Sequence, residues 1–337
     1  MGSRPAMTED SGMVGVVVIG ASAGGVEALM RLASTLPADL PYAVLVVLHM
    51  PSEAPSVLAR IVDRAGPLPA VPAEHGTHLK AGHVYVSRPD HHLLLDDHHV
   101  AVSKGPTENG HRPAINALFR SAALAFGPRA IGVLLSGVLD DGVLGLQAIK
   151  ARGGITICQS PDDALFPSLP KNALAAGVVD HAVPVPEISG ILKQVSGRKV
   201  EEPSMPRDTG MELENRIAMA PQFGAPIDTE QLGPPSGFTC PDCNGSLQSI
   251  ADRGFRCQVG HAWTADALLD ARDTEIEGAL WVAVRSLQEK AKLSRTLAEK
   301  VGPGMMAVRY TAAAEEADRA LSVLRDRLST IGLPGRE

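Results

Sequence analysis

Three uninterrupted aliphatic runs constrain this chain most. VGVVVIG (14–20), YAVLVVLH (42–49) and AIGVLLS (130–136) show no alternation of polar and apolar positions. A strand with one wet face would alternate, so these runs predict strands buried on both faces. Amphipathic stretches follow each of them: VEALMRLASTL (26–36), APSVLARIVDRA (54–65) and VLGLQAIKARG (143–153). Their periodicity predicts helices. HVYVS (83–87) and GITIC (154–158) add strands, PAINALFRSAALAF (113–126) adds a helix, and HLLLD and HVAVS around Asp97 and His98 form an antiparallel hairpin. This alternation predicts an α/β fold with a doubly wound, mostly parallel, Rossmann-like sheet. Plentiful Gly and Ala and only 3% aromatic residues suit it.

The pattern divides the chain. A disordered leader is expected over 1–13 and the main α/β domain over 14–194. A linker over 195–236 is punctuated by Pro203, Pro206, Pro221, Pro226, Pro234 and Pro235, with one helical turn in MELENRIAMA. A compact Cys/His module occupies 237–273 and a helical hairpin 274–332. In the first hairpin helix Leu280, Val284, Leu287 and Ala291 share one face, and Pro303-Gly304 breaks the pair. That face offers a surface for self-association. A net charge of -7 argues against nucleic-acid binding and against docking on anionic lipid. No apolar stretch reaches about 18 residues, so no membrane insertion is expected, and the N-terminus lacks the apolar core of a secretion signal. Three of the four cysteines stand at metal-ligand spacing, which fits a reducing compartment and therefore the cytoplasm.

The first strand ends in Gly20-Ala21-Ser22-Ala23-Gly24-Gly25, and a helix follows at once. That loop fits a nucleophile elbow, with helix N–H groups near an oxyanion. It equally fits a phosphate-binding turn in which Ser22 only caps the helix. The second run ends on His49, and the run at 130–136 leads into Gly137-Val138-Leu139-Asp140-Asp141-Gly142. Ligands and catalytic groups in open α/β sheets gather at carboxyl ends of strands. Three such ends thus supply a hydroxyl, an imidazole and a carboxylate, the groups a hydrolase triad needs. His111-Arg112-Pro113 opens a helix, either as a structural start with Pro in its first turn or as a lining of the substrate groove. The pairs His91–His92 and His98–His99 are expected at the surface without metal, and Cys158 in the core.

GASAGG, LHMP, HRPAINALF and SGVLDDG, in that order, resemble the catalytic domain of CheB-type chemotaxis methylesterases over residues 14 to about 190. The resemblance implies Ser22 as nucleophile, His49 as general base and Asp141, which directly precedes Gly142, as the acid that orients the histidine. Asp140 is expected to be a solvated loop charge. Ala23, Gly24 and Val138 would serve the oxyanion, with Met50, His111 and Arg112 in the groove. No cofactor is implied for catalysis. The substrates implied are glutamate γ-methyl esters on helical chemoreceptor signalling domains, with glutamine deamidation by the same acyl-enzyme route. Ala23 and Leu48 replace the family's usual Thr and Gln. The family's N-terminal receiver domain is expected to be absent, since only a short segment precedes the first strand.

Cys240-Pro-Asp-Cys243 and Cys257-Gln-Val-Gly-His261 pair a CxxC knuckle with a CxxxH pair. Four protein donors of this kind suit tetrahedral Zn²⁺ in a structural site, and metal binding would supply folding energy to a segment too small for a core. The segment resembles the zinc-ribbon-like tail of some stand-alone methylesterases. Its basic residues Arg253 and Arg256 are offset by Asp242 and Asp252. A Rossmann nucleotide binder would need a G-x-G-x-x-G turn and an acidic residue after the second strand, and this chain has neither. The same residues leave room for a non-catalytic adaptor, with the α/β domain as a scaffold, or for an esterase of small esters.

Overall fold

The computed structural model describes residues 12–331 apart from 54, 56, 199, 201–206, 221–232 and 251–253, and apart from the side chains of 330 and 331. The leader up to residue 11, Pro203, Pro206, Pro221, Pro226, Asp252 and Arg253 lie outside the described residues. The chain divides into two compact units, 1–267 and 268–337.

In the first unit the strands are β1 (Gly15–Ala21), β2 (Tyr42–Leu48), β3 (Ala70–Pro72), β4 (Val84–Val86), β5 (His92–Asp96), β6 (His99–Ser103), β7 (Ala130–Leu134), β8 (Ile155–Gln159) and β9 (His181–Val183). The helices are α1 (Gly25–Thr35), α2 (Leu58–Ala65), α3 (Ile115–Phe126), α4 (Val143–Ala151), α5 (Ser168–Ala175), α6 (Val185–Ser196) and α7 (Thr209–Met219). Seven strands make one parallel sheet in the order β3-β4-β2-β1-β7-β8-β9, while β5 and β6 pair as a separate antiparallel hairpin.

Every residue of β1 and β2 is buried, because successive side chains enter two different cores. Val16 and Val18 pack with Ile115, Leu118 and Phe119 of α3 and Leu146 of α4. Val17 and Ile19 pack with Leu29 and Leu32 of α1 and Ile188 of α6. Each fully buried aliphatic side chain contributes roughly 1.5–3 kcal/mol, so these strands anchor whatever stands at their ends.

The segment expected as a linker contains α7. Asp208 caps it by accepting the Met211 N–H at 2.9 Å. Met211 joins the α3 side of the core, and Ala218 packs with Leu94, Ala101 and Ala117. The Cys/His segment forms a four-stranded antiparallel sheet of β10 (Pro235–Thr239), β11 (Ser246–Ser249), β12 (Phe255–Cys257) and β13 (Ala262–Trp263). It belongs to the same compact unit as the parallel sheet. An added bridge, Glu108 with Ala262, runs from the α/β core to β13.

The second unit is a helical hairpin of α8 (Ala265–Val301), whose first turn still belongs to the first unit, and α9 (Met305–Ile331). Val284 and Ala291 are buried, and Leu280 and Leu287 half-buried, on the face that the spacing predicts. Ala314, Ala317 and Leu321 are buried on α9. The ion pairs Arg295–Asp318 and Lys290–Glu316 bridge the helices.

Candidate active site

Sheet order places the three sequence candidates together. Strand β1 lies between β2 and β7, and Ala21 pairs with Leu48 at the carboxyl end. Ser22 and His49 are the next residues, tied by His49 N–H to Ala21 O at 3.1 Å. Ser22 N–H donates to Ser136 O at 3.0 Å, which ties the serine loop to the end of β7. The serine turn needs its glycine: Gly24 sits at φ 71°, and a Cβ there would meet Ser136 Oγ at 2.8 Å. The Ser136 hydroxyl donates to Ala23 O at 2.8 Å and accepts from Phe166 N–H at 2.9 Å. Sequence reasoning misses Ser136, since a buried loop serine carries no signal of its partners.

The His49 ring links the other two groups. Nδ1 stands 3.2 Å from Ser22 Oγ, and Nε2 stands 2.7 Å from Asp141 Oδ2. With the proton on Nε2, that nitrogen donates to Asp141 and Nδ1 accepts from the serine hydroxyl. Asp141 is only 2% exposed, yet its oxygens are well supplied with donors. Ile115 N–H reaches Oδ2 at 2.7 Å and Asn116 N–H reaches Oδ1 at 3.3 Å, so the carboxylate caps the N-terminus of α3. Burial pushes this carboxyl up, but the His49 hydrogen bond and the neighbouring charges, with the Ile115 N–H, outweigh it and hold it below the ordinary carboxylate range. The Asn116 side chain accepts from Gly142 N–H and Gly145 N–H at 2.9 and 2.8 Å, fixing the loop behind Asp141. The HRPAINALF stretch therefore supplies backbone donors as well as side chains. A Pro at a predicted helix start next to a predicted acid is the signal that would have found them.

His111 stacks on His49, with ring centroids 3.7 Å apart and planes inclined by 18°. Burial first, then the His49 ring, lowers its pKa to about 4, so it is neutral at pH 7. A groove of about 540 Å³ opens here, lined by His49, Met50, Thr107, Gly110, His111 and Arg112 among others. Ala23, Gly24 and Val138 do not line it. Ala23 and Gly24 N–H have no acceptor among the described residues, and Val138 is exposed. Arg112 donates to Asp90 Oδ1 at 2.9 Å and to Gly105 O at 2.9 Å, so it braces the groove wall.

Two expectations need correction. Asp140 is not a solvated loop charge: it is half-buried and accepts from Thr264 Oγ1 at 2.8 Å. Burial raises its pKa to about 6, the Thr264 hydrogen bond lowers it, and the charge of Asp141 raises it further. His92 is not at the surface. It is fully buried, with Nε2 donating to Pro106 O at 2.9 Å and Nδ1 accepting from Ala114 N–H at 3.3 Å.

The family model for CheB methylesterase matches residues 17–192. The chain belongs to the CheB methylesterase family. It is similar to the protein-glutamate methylesterase/protein-glutamine glutaminase 1 of Geobacter metallireducens, at 36% identity over 177 residues covering 51% of this chain and 48% of that protein. The protein-glutamate methylesterase/protein-glutamine glutaminase 3 of Geobacter sulfurreducens is 35% identical over 191 residues, covering 56% of this chain and 52% of its own length. The chain spans about half the length of the curated relatives it matches. The crystal structure of the Thermotoga maritima CheB methylesterase catalytic domain aligns with a TM-score of 0.52 at 30% identity, covering 54% of this chain and 98% of that one.

Outside the region matched to CheB methylesterases, Cys240, Cys243, Cys257 and His261 bring their donor atoms within 4.8 Å of one another. The Cys243 and Cys257 sulfurs are 3.6 Å apart, and His261 Nδ1 is 3.5 Å from Cys257 and 3.7 Å from Cys240. Tetrahedral Zn²⁺ with bonds of about 2.0–2.3 Å separates its ligands by roughly this much. The donor set could hold a cation. The Cys257 hydrogen bond pulls Cys240 toward the thiolate, while the Cys257 proton is held more tightly for the same reason. A divalent ion lets the whole set ligate as thiolates and neutral imidazole.

The module is fastened to the CheB-matched part by a buried charge cluster. Arg256, 1% exposed, reaches Glu108 and Glu214 at 3.3 Å each, and Arg120 reaches the same two acids. Burial pushes the Glu108 carboxyl up, but Arg120 and Arg256 outweigh it and hold it at about 2. No described helix is long and apolar enough to cross a membrane.

Proposed function

We propose that this chain is a protein-glutamate methylesterase with Ser22 as nucleophile, His49 as general base and Asp141 as the acid that orients it. The observation that carries this reading is the unbroken line of hydrogen bonds from Ser22 through His49 to Asp141 on one sheet edge. Ser22 Oγ attacks the ester carbonyl carbon as its proton passes to His49 Nδ1. The imidazolium is stabilised through Nε2–H by Asp141, and neutral His111 stacks on it without adding charge. The Ala23 and Gly24 N–H groups, which have no acceptor among the described residues, serve as the donors to the developing oxyanion in this reading. The proton on Nδ1 then leaves with methanol, water adds to the acyl-enzyme with His49 again as base, and the glutamate carboxylate is released. Glutamine deamidation follows the same path with ammonia as leaving group.

The names of the relatives support glutamate methyl esters and glutamine as substrates. The substrates proposed are methylated helical signalling segments of chemoreceptors. The Cys/His module is proposed to hold one structural Zn²⁺ through Cys240, Cys243, Cys257 and His261. Methanol release from a methylated receptor fragment tests the enzymatic reading. It should occur with the wild-type chain and be abolished by Ser22→Ala. Equal release by both, or none by either, overturns it.

A further inference from the structure

One short turn touches both the triad and the Cys/His module. Glu108 and His111 exchange backbone hydrogen bonds, N–H of Glu108 to His111 O at 3.1 Å and N–H of His111 to Glu108 O at 2.9 Å. Between them Asn109 and Gly110 sit at φ 53° and 72°. Two left-handed residues in a two-residue turn are the type I′ arrangement that Asn-Gly favours.

On its inner side the turn meets the acid end of the triad. His111 carries the ring stacked on His49, and Asn109 Nδ2 donates to Asp141 Oδ1 at 3.5 Å. On its outer side the module holds the turn at Glu108 and Asn109, and grips Thr107 just before it. Asn109 N–H donates to Ala262 O at 2.8 Å, and Thr264 N–H donates to Asn109 Oδ1 at 2.8 Å. Ala262 N–H donates to Thr107 O at 3.1 Å, and Thr107 Oγ1 donates to Asp242 Oδ2 at 2.6 Å. Arg256 pairs with Glu108. Asp242 lies inside the CxxC knuckle, Arg256 immediately precedes Cys257, and Ala262 follows His261. The residues that grip the turn are thus the chain neighbours of the four candidate ligands.

We infer that the Cys/His module is a positioning element for the triad: by seating the Glu108–His111 turn it holds Asn109 against Asp141 and His111 against His49. This rests on the triad reading above. Asn109 and Thr264 become positioning residues, and a metal held by Cys240, Cys243, Cys257 and His261 would support turnover without touching a reacting atom. The Asn109 side chain does not line the groove, so its removal lowers kcat and leaves KM nearly unchanged.

The test uses the full zinc-loaded chain, Asn109→Gly, and the wild type stripped of metal and then reloaded. Glycine keeps the left-handed turn and removes only the side chain that links Thr264 to Asp141. The readouts are zinc per chain, kcat and KM on a methyl-ester peptide, and the downfield proton resonance of His49 Nε2–H on Asp141. Asn109→Gly should retain its zinc, lose about 10–100-fold in kcat, the size of a misplaced catalytic geometry, keep KM within about twofold, and lose or broaden the resonance. Stripped wild type should show the same losses and recover them on reloading. Unchanged kcat and resonance in Asn109→Gly, or in the stripped protein, overturns the inference, as does absence of the resonance from the wild type. Failure of the triad reading is separate: Ser22→Ala would keep its activity, while the resonance still reports whether the module holds His49 on Asp141.

Discussion

The carboxyl edge of the parallel sheet and the Cys/His module both hold polar groups in fixed positions, and they do so with opposite materials. At the sheet edge, Ser22 and His49 stand at the ends of strands in which every residue is buried. Their geometry is inherited from apolar packing on two faces. In the module, β10 is mostly exposed, and the largest fully buried side chain is the guanidinium of Arg256. Four candidate metal donors and an Arg–Glu cluster stand where so short a segment lacks a core. Apolar packing tolerates a missing atom gradually, whereas polar pins fail when one member goes, because the survivor is left buried and unpaired.

The largest effect separates chemistry from architecture. Ser22→Ala should lower kcat by about 10⁴-fold or more while the urea midpoint of the first unit stays within error. A matching loss of stability would mean that Ser22 is part of the scaffold. Next comes the contrast itself. Arg256→Ala should destabilise the first unit by about 3–5 kcal/mol, as much as Leu45→Ala at roughly 2–5 kcal/mol, in urea unfolding followed by circular dichroism with zinc present. A cost under about 1 kcal/mol for Arg256→Ala would show that the module folds apart from the sheet.

A smaller effect tests the acid between the two regions. Asp140 holds its proton more tightly in the folded chain than the ordinary value of 3.8 allows. The stabilisation this gives is complete below about pH 4 and is lost as pH rises through about 6. Asp140→Asn should therefore gain on the wild type with rising pH, by roughly 1–3 kcal/mol at pH 8, and gain little at pH 4. An equal gain at both values would break the assignment. Smallest of all, Arg295→Ala in the hairpin removes an ion pair whose members are about half exposed. It should shift stability by less than about 1 kcal/mol, and a larger shift would make that pair a pin of the same kind as Arg256.

What is legible in the sequence follows the same divide. Strands β1, β2 and β7 can be read because burial on both faces writes itself as unbroken aliphatic runs, and the sheet rule then puts Ser22, His49 and the Asp140–Asp141 loop on one edge. Short edge strands such as Ala70–Pro72 and His181–Val183, only partly buried, leave no such mark. Helix α7 hides among prolines because it is held by tertiary burial of Met211, Ile217 and Ala218 rather than by a long period. The docking of the module is not legible at all. An arginine looks the same in sequence whether it is solvated or sealed against two acids, so Arg256 reads there only as surface charge. Asn109-Gly110 has the composition of a tight turn, but its two sets of partners lie 32 residues away at Asp141 and 155 residues away at Thr264.

The cluster of Arg120, Glu108, Glu214 and Arg256 has a consequence for the order in which the protein is made. Glu108 and Arg120 leave the ribosome early, and Arg256 follows more than a hundred residues later. At about 5–20 residues per second, that interval is on the order of ten seconds. By its end the parallel sheet has all its strands, and Ser22, His49 and Asp141 are already present in the nascent chain. The turn that steadies them still waits for its outer partners. A nascent chain halted before β12 therefore carries Ser22, His49 and Asp141 without the residues that hold the Glu108–His111 turn from outside.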